Sequence, residues 1–378
     1  MENSPLGTMD RQKFLAEYWQ KSACLLSAAA TDFCPPLDGD DLAGLACEPE
    51  VESRLVTGRY PDHDWQVKTG PMTAADFSSL PDSGWTLLVQ DVEKHYPPLA
   101  SLLDRFDFLP GWRIDDLMIS FAVTDGSVGP HVDQYDVFLL QAQGHRRWQI
   151  SSEYDPSLVD TEALRVLRRF EPQQEWILGP GDMLYLPPGI AHYGVALDDN
   201  LTYSIGCRAP SLADWLMFLS AYYAALEDEG GRYSDPDLEA GRQPGVVSVE
   251  DIDRLRLLTG ELTGIASDTL ACLFADFMSR YRLVRPVEPL EPGHNSTRIV
   301  KKLSTGHSLV RNPWTRFCWA SQPRSALLYA AGDEYRCNKD VARLLCSSRN
   351  YQLDQLRQAG ADDELTTRLV NDGHLQIA

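Results

Sequence analysis

From Ser53 onward, apolar and polar residues alternate in short runs punctuated by glycine and proline: "SRLVTG", "DWQVKTG", "GWTLLVQDV", "DDLMISFAV", "DVFLLQAQG", "RRWQIS", "QEWILGPGDMLYLPPG" and "LTYSIGCRA". Alternation puts every second side chain on one face, so these runs predict strands, and many short strands in succession predict a barrel or double-sheet jelly roll. The flanks have a different period. Met9 to Leu26, "MDRQKFLAEYWQKSACLL", carries apolar residues at helical spacing, and "TDFCPPLDGDDLAGLACEPEVES" predicts turns with a short helix. At Ser211 the pattern turns helical again, with Trp215, Leu216, Leu219, Tyr222, Tyr223 and Leu226 on one broad face. A polar, Gly- and Pro-containing linker is expected over 227–247, followed by a helix pair. That pair opens at Ser248, which forms a capping box with Asp251, and ends near Leu283. Past "VRPVEPLEPG", the stretch "KDVARLLCSSRNYQLDQLRQAG" predicts two short helices and "GHLQIA" a terminal strand.

Composition narrows the class. A chain of 378 residues with 43% hydrophobic content is long enough for two or three domains. The sequence has no run of eighteen apolar residues, and "MENSPLGTMDRQKF" has neither a basic nor an apolar leader region, so a cytoplasmic protein without a membrane span is expected. Eight cysteines without a C-x-x-C pair read as reduced thiols. The net charge of −21 is uneven: residues 286–378 hold 12 Lys+Arg against 10 Asp+Glu, leaving 22 against 45 before them, a balance of −23. Such a front part repels nucleic acid and would steer a basic polypeptide toward it.

The chemistry gathers around "GPHVDQYDVFLLQAQGHRRW". Residues two apart on a strand share a face, so His131 and Asp133 can hold one object while Val132 points away. "GPGDMLYLPPGIAHYG" then predicts turn, strand and turn, delivering His192 as a third ligand. Two histidines and one carboxylate on one face leave coordination positions open, the arrangement that suits Fe(II) and oxygen chemistry. His145 is the rival third ligand, but Arg146 and Arg147 beside it disfavour a metal ion. His63, His95, His294, His307 and His374 lack a spaced carboxylate and are expected at the surface.

"GPHVDQYDVFLLQAQGHRRWQI" followed by "GPGDMLYLPPGIAHYG" resembles the jumonji-type iron and 2-oxoglutarate oxygenases, and within them the bacterial ribosomal oxygenases. "FLAEYWQK", "RIDDLMISFAV" and "YSIGCRAP" extend the resemblance over most of the chain, with residues 35–53 outside it. It implies a mainly β, double-stranded β-helix (jelly roll, cupin-like) oxygenase domain over 1–210. A helical dimerisation segment over 211–285 and a winged-helix-like α+β module over 286–378 would follow. It implies Fe(II) on His131, Asp133 and His192, and 2-oxoglutarate with its distal carboxylate on Arg146, fifteen residues after the first histidine. Thr202 or Ser204 would hydrogen-bond the cosubstrate, although the subgroup tends to have asparagine where this chain has Thr202. Asp115, Asp116 and Asp125 are carboxylates able to hold a substrate guanidinium, with Tyr135 lining its path; each reads equally well as a turn residue or solvated acid.

The implied reaction is hydroxylation of an arginine β-carbon in large-subunit ribosomal protein number sixteen, by a cytoplasmic homodimer. A winged helix often binds DNA, but a net charge of about +2 without a basic stripe argues against that here. Several alternatives stay open: a histidine hydroxylase, a jumonji oxygenase acting on a tRNA base, and a non-catalytic cupin-like binding or regulatory protein.

Overall fold

The alternating segments do become strands. The computed structural model describes residues 4–159, 164–226, 231–236 and 247–378, and the chain divides into one unit ending at Ala209 and a second beginning at Pro210. The described part of the first unit has these strands: β1 (Cys24–Leu26), β2 (Ser53–Thr57), β3 (Gln66–Thr69), β4 (Trp85–Val89), β5 (Ile114–Ala122), β6 (His131–Val132), β7 (Val137–Gln143), β8 (Arg146–Ser151), β9 (Gln174–Leu178), β10 (Met183–Leu186), β11 (Ala191–Ala196) and β12 (Asn200–Cys207). They form an eight-stranded sheet, ordered β1-β10-β7-β12-β5-β4-β2-β3, and a four-stranded sheet, ordered β6-β11-β8-β9. This is the expected double-stranded β-helix.

Alternation decides what each face meets. Val137, Leu139, Trp148, Ile150, Leu178, Leu184 and Leu186 fill the space between the sheets. The intervening residues of the larger sheet, among them Leu117, Ile119, Phe138, Leu140, Tyr203 and Ile205, bury their side chains against Phe14, Leu42, Leu102 and Phe106. The inner face can therefore afford polar residues where a cavity needs them.

One expectation changes here. Met9–Leu26 is not one helix: the helix runs Arg11–Glu17, capped by Asp10, and Gln20 at φ 56° turns the chain so that Cys24–Leu26 pairs with β10 as an edge strand. The apolar run after His131 is a strand of its own. His131 and Val132 belong to the smaller sheet and Val137–Gln143 to the larger one. Residues 133–136 cross between them. The fully buried Asp136 carboxylate pins that crossing by accepting hydrogen bonds from Tyr185 Oη (2.6 Å), Arg113 NH2 (2.7 Å) and Gln20 Nε2 (2.9 Å).

In the second unit the helix Leu212–Ala224 is capped by Ser211 and Asp214, and the helix pair is Val249–Thr263 and Ser267–Arg280. Residues 227–230 and 237–246 of the expected linker lie outside the described residues. The pattern did not foretell the helices Ser296–Ser304 and Asp363–Asn371 or two three-stranded sheets, Asn350–Tyr351/Leu309–Arg311/Leu375–Ile377 and Phe317–Ser321/Ala326–Ala330/Asp333–Cys337. The helices Lys339–Ser347 and Leu353–Gln358 and the terminal strand lie where they were read. His374 is not a surface residue: it is 1% exposed, with Nδ1 on Thr315 Oγ1 (3.1 Å) and Nε2 on Asp333 Oδ2 (3.0 Å). Trp215 is likewise engaged within the chain, against Phe218, Phe274 and Phe277, so the exposed apolar side chains of its helix are Leu212, Leu216 and Met217.

Candidate active site

β6 and β11 pair so that His131 and His192 stand opposite each other, and their rings are 4.2 Å apart. Asp133 follows at once, its backbone carbonyl accepting from Gly189 N in the Pro187–Gly189 turn at 2.8 Å. Its Oδ2 lies 3.7 Å from His192 Nε2 and 4.0 Å from His131 Nε2. Ligand atoms of all three residues lie within 4.8 Å of one another, the only such group of three or more among the described residues. Each imidazole Nδ1 faces a backbone carbonyl, Gly129 O at 2.9 Å and Ile190 O at 3.0 Å. This fixes the protonated nitrogen and leaves both Nε2 lone pairs toward the carboxylate. Burial, with His131 alongside, lowers the His192 pKa to about 4, so the ring is neutral as a metal ligand must be. The donor set fits a divalent ion held on one face.

The floor of the cavity follows from register. Thr202 pairs with Ser120 and Gln141, Ser120 with Leu88, and Leu88 with Arg54, so these side chains share the inner face. Ser204 and Met118 make the next row, and Gly206 and Asp116 lie beyond. Arg146, 4% exposed, reaches this floor: its NH1 donates to Thr202 Oγ1 (3.2 Å) and Ser120 Oγ (3.3 Å), and its guanidinium lies 5.4 Å from the Trp148 ring centre. Burial lowers its pKa only to about 10, so it keeps its charge. It has no carboxylate partner among the described residues, and its Nε and the Trp148 Nε1 are buried without acceptors. A buried cation with spare donors fits an anion entering the cavity.

The far end has the opposite sign. Asp116 is half-buried and accepts from Gln90 Nε2 at 2.6 Å. Burial first, then Asp115, Glu93 and Asp91, hold its carboxyl well above the usual range. Gly206 gives it room: a Cβ there would lie 2.9 Å from Asp116 Oδ1. The Tyr135 hydroxyl feels the charges of Asp133, Asp116 and Arg54.

The structure thus brings together His131, Asp133, His192, Arg146, Thr202, Ser204, Asp116 and Tyr135. It separates Asp115, which turns to Arg208 (2.5 Å), and Asp125, an exposed turn residue at φ 64° beyond the other end of β5 and 3.9 Å from Arg59. Thr202 serves as a partner of Arg146 and donates to Gln141 Oε1 at 3.0 Å. His145 sits in the β7–β8 hairpin against Asp198 (2.8 Å), away from the triad. Ser120, Gln141, Gly206 and Arg54 were not foreseen, although the two-residue period of β5 places Ser120 on the face of Asp116.

Comparison with known proteins agrees with this geometry. The JmjC domain model matches residues 101–215, and the ROXA-like winged helix model matches residues 260–376. The ribosomal protein uL16 3-hydroxylase of Escherichia coli is 39% identical over 311 residues, 80% of each chain. A probable ribosomal oxygenase of Haemophilus influenzae is 39% identical over 229 residues, 60% of this chain and 54% of the relative. The crystal structure of YcfD, a ribosomal oxygenase from Escherichia coli in complex with cobalt and 2-oxoglutarate, superimposes with a TM-score of 0.83 at 35% identity, covering 98% of each chain. With the fold, the triad and a relative matched over four-fifths of both chains, this chain belongs to the JmjC-type ribosomal oxygenases.

Proposed function

We propose that this protein is an Fe(II)- and 2-oxoglutarate-dependent oxygenase that hydroxylates the β-carbon of an arginine in ribosomal protein uL16. The observation that carries the reading is the polarity of one face, with a buried cation lacking a carboxylate partner at one end, a half-buried carboxyl at the other and the His–Asp–His group beside it. His131, Asp133 and His192 would hold the iron. Arg146, steadied by Thr202 and Ser120, would take the distal carboxylate of 2-oxoglutarate through a two-pronged pair. Ser204 lies between the two ends of the floor and can donate to the cosubstrate. Iron(II) held there would supply the oxidation that replaces a hydrogen on an unactivated carbon by hydroxyl, with dioxygen as oxidant and oxygen source and 2-oxoglutarate as the electron donor that leaves as succinate and carbon dioxide. Asp116 and Tyr135 orient the substrate: a guanidinium entering the pocket pairs with the Asp116 carboxylate, which presents the side chain to the triad. This is the feature that favours arginine over histidine.

Leu212 and Leu270 line a groove of about 580 Å³ between the helices Leu212–Ala224 and Ser267–Arg280, and Leu216 and Met217 are exposed on the first of these helices. They support a homodimer through 211–285, placed between an oxygenase domain over 1–210 and a winged-helix-like module over 286–378. Replacing Leu216 and Met217 by glutamate should then convert a dimer to a monomer in light scattering. The nearly neutral module is read as non-DNA-binding and the protein as cytoplasmic. Among the described residues no helix is long and apolar enough to cross a membrane.

The test of function is mass spectrometry of a uL16 peptide incubated with anaerobically purified protein, Fe(II), 2-oxoglutarate and air. Gain of one oxygen on an arginine β-carbon is expected. Hydroxylation of histidine peptides with arginine peptides inert would replace this reading with the histidine-hydroxylase one, and binding of 2-oxoglutarate without turnover would favour a non-catalytic protein.

A further inference from the structure

Arg54 is the charged residue of the cavity that neither the metal, the cosubstrate nor the target side chain uses. It lies on β2, and the register carries its face across Leu88 and Ser120 to Thr202, so its side chain rises from the same floor as the partners of Arg146. It is half-buried, and no hydrogen bond or ion pair holds its guanidinium among the described residues. Only β3 lies between it and the edge of the sheet, which puts Arg54 toward the rim rather than in the depth. Its charge acts on the Tyr135 hydroxyl, whose other charged neighbours are Asp133 and Asp116. A half-buried arginine here offers N–H donors to whatever fills the cavity, since the guanidinium only donates. A cationic substrate brings side chains that Arg54 repels. Every polypeptide, however, brings main-chain carbonyl oxygens, and the chain on either side of the inserted residue has to cross this rim.

We propose that Arg54 binds a main-chain carbonyl of the polypeptide substrate next to the residue held at Asp116, and so fixes the direction in which the chain lies over the cavity. This rests on the reading that the substrate is a polypeptide. The contact requires the planar fork of arginine for full strength, since an ammonium offers a single point of charge.

The test measures affinities directly, by titrating Co(II)-loaded protein with 2-oxoglutarate and then with a fluorescent uL16 peptide. Arg54→Ala should weaken peptide binding by about tenfold or more, the usual range for a hydrogen bond to a charged group. Arg54→Lys should fall between the two proteins, and the affinity for 2-oxoglutarate should change less than about twofold, which also reports that the variants fold. An ester-for-amide scan through the residues flanking the target should find one position whose cost disappears in Arg54→Ala. Unchanged peptide affinity in Arg54→Ala, or a scan in which every ester costs both proteins equally, would overturn the assignment. A weakened affinity for 2-oxoglutarate would overturn it in favour of a cosubstrate contact. Wild-type protein that binds no arginine peptide would sink the polypeptide reading itself, and this proposal with it, a result distinct from the others.

Discussion

The two units treat buried ionisable groups in opposite ways. In the second unit His374 has partners on both ring nitrogens, the Tyr335 hydroxyl donates to Asp372 at 2.6 Å, and Arg311 donates to the Leu345 and Ser348 carbonyls. In the first unit His192 is as deeply buried as His374 but shows its Nε2 only to Asp133 and His131, and Arg146 meets two hydroxyls and no carboxylate. Among the described residues, every buried side-chain nitrogen or oxygen left without a hydrogen-bond partner belongs to the first unit. Unfinished pairing is costly, and two of these groups, Arg146 Nε and Trp148 Nε1, lie beside the triad, where a ligand would complete them. Complete pairing marks a part whose polar groups only hold the fold.

The largest effect should come from the triad. Asp133→Ala should reduce 2-oxoglutarate turnover to background with an unchanged circular-dichroism spectrum, whereas His374→Ala should retain turnover and lose stability. Turnover surviving in Asp133→Ala would erase the contrast. Next come two arginines of equal burial. Arg146→Ala should raise the KM for 2-oxoglutarate by roughly a hundredfold, through the loss of a two-pronged charged contact. Arg208, 2% exposed, is instead paired with Asp115 and hydrogen-bonded to the carbonyls of Trp112, Ile114 and Asp115. Arg208→Ala should cost about 3–5 kcal/mol of folding stability in denaturant titration, as for other broken buried pairs. Similar kinetic behaviour in the two variants would dissolve the distinction.

A smaller change tests the substrate end. Gly206→Val should lower peptide hydroxylation by roughly tenfold through crowding at Asp116, a cost on the scale of a modest steric insertion, while 2-oxoglutarate affinity stays near wild type. The smallest effect is in pH. Burial outweighs Asp333 and lowers the His374 pKa below its ordinary value, so the unfolded chain takes up a proton that the folded module refuses. Its contribution is therefore full above about pH 6.5 and falls as pH drops below that value. The second unit should melt earlier at pH 5.5 than at 7.5, and His374→Gln should flatten that part of the dependence.

Much of the first unit was legible because its signals are local. Strand periodicity pointed to His131 and Asp133, although Asp133 stands just past the end of β6, and the glycine and proline turns around Met183–Leu186 announce the delivery of His192. The family resemblance supplied Arg146 and the module order. What stayed hidden depends on which distant strands become neighbours. Ser120, Gln141 and Arg54 line the floor only because β12, β5, β4 and β2 pair in a particular register. Asp136 shows its role only once the chain is seen crossing between sheets. His374 was misplaced because Thr315 and Asp333, 59 and 41 residues earlier, finish its pairing. The helix expected through Leu26 failed because an apolar run long enough to continue it found an open sheet edge instead.

The Asp136 crossing has a thermodynamic corollary. It joins the segment that carries Asp133 directly to a central strand of the larger sheet, so the triad cannot come apart without disturbing β7, and melting of that sheet scatters the triad. Metal and cosubstrate would then bind the native state and not the unfolded chain. Each would raise the melting temperature in proportion to the logarithm of its concentration above Kd. Occupancy of the site can thus be read from unfolding of the whole sheet, without a peptide or a turnover assay.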